Sequence, residues 1–170
     1  YSSRIYLASD ASEDDRNAVI EKYNGDSGTS VSTQLEEQTV SLDIYSLTHD
    51  SIRISDKNAD NIDIKDDGAY ICMRLSEKYS LRAGDTFVLK RFGTDEKYTL
   101  KVAGVFRSVS ENIVITDKYA RTLGIDFIPD SVYTDCDKSE IETSPAIKSV
   151  QSKSMITDSF DTFTDIMNQM

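Results

Sequence analysis

Apolar positions recur along this chain with two periods, near two and near three and a half, and the changes between them mark out its elements. Arg4 to Ala8 alternates as a strand. Ser9 to Asp15 then supplies helix-capping hydroxyls and first-turn acids ahead of Ala18, Val19, Ile20 and Tyr23, predicting a helix of about three turns. The run Asn24-Gly25-Asp26-Ser27-Gly28 closes it as a turn. Ser30 to Leu47, rich in Val, Thr, Leu and Ile, reads as one long strand or a broken pair.

The middle of the chain is mostly β in pattern. Ile52 and Ile54 alternate, as do Ile62 and Ile64, across a polar loop. Gly68 to Ile71 is a short strand, and Met73 and Leu75 open a short helix ending near Tyr79. Arg82 to Asp85 forms a turn into the strand Thr86 to Lys90. Phe92-Gly93-Thr94-Asp95 then joins it as a hairpin to Tyr98 to Phe106. Ile113 to Ile115 is a strand, followed by a helix capped by Thr116 and closed by Gly124.

The last third returns to mixed patterning. Val132 to Thr134 is a strand, Lys138 to Glu142 a helical turn, and Ile147 to Lys153 an alternating strand. Ile156 to Met170 reads as a helix with Phe160, Phe163, Ile166, Met167 and Met170 on one side. That helix has no closing glycine or basic residue, and the chain begins at Tyr1; both features suggest a segment of a larger protein. The expected fold is α+β. Residues 1–47 and 131–170 would pair their strand–helix–strand units into a mixed sheet backed by helices, forming a membrane-proximal lobe. Residues 48–130 would be an inserted β-rich lobe.

Charge narrows the choice of partner. The formal net charge is −11, with acidic residues spread along the chain. Phosphate binding needs a basic face, so nucleic acid is not expected, and neither is docking of basic residues on an anionic leaflet. No stretch reaches the roughly 18–20 apolar residues of a membrane span. Cys72 and Cys136 have neither redox nor zinc-ligand spacing; one disulfide or two thiols both remain open.

Catalytic constellations are sparse. A Ser–His–Asp triad or a zinc site would have to use His49, the single histidine, and it reads as a surface residue in a turn. Carboxylates are plentiful, but there is no tryptophan to offer a sugar platform. Asp56-Lys57-Asn58-Ala59-Asp60-Asn61 through Asp67 imitates a calcium loop in its oxygen spacing. Asn61 replaces the required glycine, Asp67 the closing glutamate, and the flanks are strands, so a solvated loop is the preferred reading. Phosphate-cradling motifs of the GxxxxGK[ST] and GxGxxG types are absent. No catalytic, cofactor-binding or metal-binding residues are therefore expected, no cofactor, and no enzyme.

One block is more specific. Asp67 to Lys90 reads D-G-A-Y-I-C-M-R-L-S-E-K-Y-S-L-R-A-G-D-T-F-V-L-K, and K-Y-T-L-K-V-A-G-V-F-R follows. It resembles the extracytoplasmic region of FtsX-like and MacB-type ABC transporter permeases, with Gly68, Leu75, Leu81, Gly84, Asp85, Leu89, Val102, Gly104 and Val105 at matching places. Cys72 stands where a serine is usual, and Ser80 where glycine is usual. Ile113 to Thr116 with Tyr119-Ala120, and Ile147 to Val150, resemble later strands of the same family, so the likeness covers roughly residues 67–170.

The resemblance implies a non-catalytic domain on the extracytoplasmic side of a Gram-positive cell membrane. It would relay motion or engage a substrate, peptide, lipoprotein or wall hydrolase. A cytoplasmic ATP-binding subunit would hydrolyse ATP, and a second permease copy would be a further partner. The terminal helix would be the stalk toward a transmembrane segment. The alternative is a secreted or surface-anchored module that binds glycan or calcium.

Overall fold

The structure, a computed structural model, describes residues 1–49, 51–108 and 110–152. The helix expected over Ile156 to Met170 lies outside the described residues. The chain divides into two compact units and passes between them four times. The first comprises Tyr1–Ser27, Leu47–Ile52 and the chain from Pro129 onward; the second comprises Gly28–Ser46 and Arg53–Ile128.

In the first unit, β1 (Ser3–Leu7) runs antiparallel between β10 (Ser131–Thr134) and β11 (Ile147–Ser152). Period-two alternation turns Ile5 and Leu7 to one face, where they pack with Val132 and Ile147 against Val19 and Tyr23 of α1 (Glu13–Lys22). The Ser12 hydroxyl caps α1 by accepting the Asp15 N–H at 3.1 Å, and Glu13, Asp14 and Asp15 complement the helix dipole. Asn24 in the left-handed region (φ 48°) ends the helix, and the Gly25 N–H reaches back to the Ile20 carbonyl at 3.0 Å. Glycine is required at position 25: a Cβ there would run into the Val132 side chain. The helical turn expected at Lys138 to Glu142 is a 3-10 turn over Lys138–Glu140.

In the second unit the run Ser30 to Leu47 is a broken pair. The strand β2 (Asp26–Leu35) turns at Glu36 (φ 55°) into β3 (Gln38–Ser46). The polar loop is flanked by β4 (Ile54–Ser55) and β5 (Asn61–Ile62), paired with each other. Then come β6 (Ala69–Cys72), α2 (Met73–Tyr79), β7 (Thr86–Arg91), β8 (Lys97–Phe106), β9 (Asn112–Thr116) and α3 (Asp117–Thr122). The strand order β2-β3-β9-β6-β8-β7 closes on itself where Thr33 and Gln34 of β2 pair with Arg91 and Lys90 of β7. Pairing is mixed: β3–β9 and β6–β8 are parallel, and β6–β9 and β7–β8 antiparallel.

Closing the sheet gives alternate residues of every strand an interior. Leu42, Ile44, Ile71, Leu89, Leu100, Ile113 and Ile115 are fully buried there, each contributing about 1.5–3 kcal/mol of transfer free energy. The fold is α+β with a mixed sheet, as the pattern implies. The sequence places residues 28–46 with the first lobe; in the structure they cluster with the second. The reason is pairing: β3 takes β9 as its parallel neighbour over Ser41 to Tyr45, a match between distant segments that local patterning does not encode.

Candidate functional site

Ser, His and Asp do come together in the first unit, around the short segment 47–52. Asp26 begins β2 where a turn is expected, and its side chain is completely buried. Its Oδ1 accepts the backbone N–H groups of Thr48 (2.8 Å) and His49 (2.7 Å). Oδ2 accepts those of Ser51 (2.7 Å) and Ile52 (3.1 Å). Four N–H donors offset the cost of burying this carboxylate.

The neighbours are wired to the backbone in the same way. His49 Nδ1 lies 2.9 Å from the Gly25 carbonyl oxygen and 2.9 Å from the Thr48 hydroxyl. Ser51 Oγ donates to the Asn24 carbonyl at 3.2 Å. A charge-relay geometry requires histidine between the hydroxyl and the carboxylate. Here each of the three side chains instead fixes a backbone segment.

In the second unit, a cleft of about 780 Å³ is lined by Asp56, Asp63, Asp67, Lys65, Lys101 and Tyr70, among others. The calcium-like loop contributes its first and last acids to this cleft, but not as a ligand ring. Asp56 Oδ1 accepts the N–H groups of Asn58 (2.8 Å) and Asp60 (3.1 Å), closing the β4–β5 hairpin, with Ala59 at φ 65°. Among the described residues no group of three or more His, Cys, Asp or Glu is arranged to hold a metal ion. The Tyr70 hydroxyl donates to the Asp63 carbonyl (3.0 Å) and accepts from the Lys65 N–H (2.9 Å). Burial raises its pKa above the usual tyrosine value, and nearby Asp67, Asp63 and Asp66 add to that rise against the lowering by the Lys65 N–H.

A second, smaller cleft of about 370 Å³ lies in the first unit between α1 and the loop 142–147. Ala18, Val19 and Ile147 are among its lining residues, and the Lys22–Glu142 ion pair (3.3 Å) sits at its exposed rim. Cys72 is buried in the second unit and Cys136 half-buried in the first; neither is in a disulfide.

The block carrying the family resemblance is built as a turn between barrel strands. Leu75 anchors α2 in the core, and Ser80, where glycine is usual, holds the left-handed conformation (φ 55°) that ends the helix. Gly84 (φ 94°) donates to Val102 O at 2.9 Å, while Asp85 O accepts the Val102 N–H at 2.8 Å, seating β7 on β8. Gly68 approaches β8 so closely that a Cβ would lie 2.9 Å from the Lys101 carbonyl oxygen. The matched residues therefore serve the barrel's construction.

The extracellular domain of the noncanonic ABC-type transporter YknZ from Gram-positive bacteria is similar over 79% of this chain and 83% of that domain, with a TM-score of 0.50 and 14% identity. The fold is shared with an ABC-transporter extracellular domain. No family model matches the chain, and no curated protein does. Among the described residues no helix is long and apolar enough to cross a membrane.

Asp26 is the residue that sequence reasoning missed. Its neighbours Asn24, Gly25, Ser27 and Gly28 are all turn formers, which masks an acid entering a strand.

Proposed function

We propose that this chain is a non-catalytic extracytoplasmic domain of an ABC transporter permease of the FtsX-like or MacB type. It relays motion, or engages a substrate or partner outside the membrane, while a separate cytoplasmic ATP-binding subunit hydrolyses ATP. The observation that carries this reading is the fold shared with the YknZ extracellular domain over 79% of the chain. Support comes from where the resemblance falls: its glycines and leucines, at Gly68, Leu75, Gly84 and Leu89, sit at the barrel's turns and core. The wiring of Asp26, His49 and Ser51 to backbone agrees with a scaffold rather than a reaction centre.

The side of the membrane is tested by labelling. A full-length protein with every native cysteine replaced, Cys72→Ala and Cys136→Ser among them, and Thr94→Cys added places one exposed thiol on the β7–β8 turn. A membrane-impermeant maleimide should label it on intact cells, in the membrane fraction. Labelling only after lysis overturns the proposal. Labelling of a product released without membrane spans supports the secreted-module alternative instead.

A further inference from the structure

The outer face of the β7–β8 hairpin departs from the rest of the chain. Register sets Thr86 opposite Lys101, Val88 opposite Thr99 and Lys90 opposite Lys97. The pairs between them, Phe87 with Leu100 and Leu89 with Tyr98, are buried inside the barrel. The outward face is therefore three lysines and two threonines around Val88, which is 48% exposed. At the connecting turn Phe92 is 56% exposed, and the turn's left-handed position is taken by Gly93 (φ 78°), so turn geometry places no demand on an aromatic ring.

One feature of this face costs the fold something. Like charges directly opposite one another on adjacent strands are unfavourable, and Lys90 faces Lys97. Asp95 relieves Lys90 at 3.8 Å, but among the described residues Lys97 and Lys101 have no ion-pair partner. The basic residues are also concentrated. The hairpin, residues 86–101, holds four Lys or Arg against two acids, a surplus of two, so the remainder of a chain of net −11 carries −13. Lysines can guard a strand edge against pairing, but that purpose does not call for an exposed valine and phenylalanine beside them.

We propose that this face docks an acidic surface of a partner protein, with Val88 and Phe92 as apolar contacts and Lys90, Lys97 and Lys101 as charge contacts. An anionic bilayer fits less well: it is an extended charged plane that repels the net charge of −13 on the rest of the chain, whereas an acidic protein patch meets the hairpin alone. A second copy of this chain fits less well too. A two-fold contact through the face sets lysines against lysines, and a head-to-tail contact with the acidic start of α1 leaves both surfaces open to further copies. The surface goes beyond the transporter reading and is tested on the chain by itself.

The test is a titration of the isotope-labelled chain with a peptide of glutamates carrying a leucine stripe, followed by amide NMR shifts. Shifts are expected at Thr86 to Phe92 and Lys97 to Lys101, with affinity falling as salt rises. Lys97→Glu should weaken binding by about tenfold or more while leaving thermal stability equal or higher, because an opposite charge then faces Lys90. Phe92→Ser should weaken binding without changing its salt dependence. The proposal is overturned if the peptide shifts no residue of the face, or binds Lys97→Glu unchanged. It is overturned equally if phosphatidylglycerol vesicles engage the face and the peptide does not, or if the chain self-associates through it.

Discussion

Oδ2 of Asp26 accepts the backbone N–H of Ser51 at 2.7 Å, joining residues 25 positions apart inside the first unit. With the N–H groups of Thr48, His49 and Ile52 on the same carboxylate, this one side chain holds four backbone N–H groups at once. Asp26→Asn turns an amide NH2 toward donors that need an acceptor. We expect a loss of at least about 2 kcal/mol in urea unfolding, and faster hydrogen exchange at Ser51 and Ile52. Unchanged stability and exchange would remove the clamp from the account.

Ser80 pays for a backbone conformation that glycine takes without strain, since it sits at φ 55° as the cap of α2. Ser80→Gly should stabilise the chain by about 1 kcal/mol, seen as a higher urea midpoint with unchanged slope. A lower midpoint would mean that the serine side chain contributes something its position does not reveal.

Gly68 tests close approach rather than backbone freedom. A Cβ there would come within 2.8 Å of the Ala103 Cβ and 2.9 Å of the Lys101 carbonyl oxygen. Gly68→Ala should cost about 1–3 kcal/mol, because backbone on the β8 side must move. A neutral result in thermal unfolding would show that β6 and β8 separate easily.

Alkaline pH should destabilise the protein. Tyr70 and Tyr98 have pKa values raised in the folded state, both chiefly by burial. A group with a raised folded pKa holds its proton longer when folded, so its stabilisation is complete below the unfolded tyrosine value near 10 and is lost as pH rises through the folded value. Thermal unfolding should therefore be flat in this respect up to about pH 9 and fall beyond pH 10. Tyr70→Phe should flatten part of that fall. An equal slope in the variant would assign it elsewhere.

Most elements were legible because their signals are local. Ser12 caps α1 and Thr116 caps α3 as their types suggest, and alternation located β1, β7 and β8. What local signals do not carry is partner choice. Nothing in Ser41 to Tyr45 announces that β3 pairs in parallel with β9, so the assignment of residues 28–46 was set by tertiary pairing. Asp26 was hidden for a related reason, since its donors lie more than twenty residues away. The basic hairpin was obscured by the net charge of −11, which averages a local surplus into a larger deficit.

ATP hydrolysis by the full-length protein with its ATP-binding subunit tests the central proposal most directly. The two should co-purify, and this chain alone should hydrolyse no ATP. Removing residues 1–170 within the full-length protein should leave basal hydrolysis by the pair while abolishing transport-dependent growth. Absence of any co-purifying ATP-binding subunit, with the full-length protein functional on its own, would contradict it.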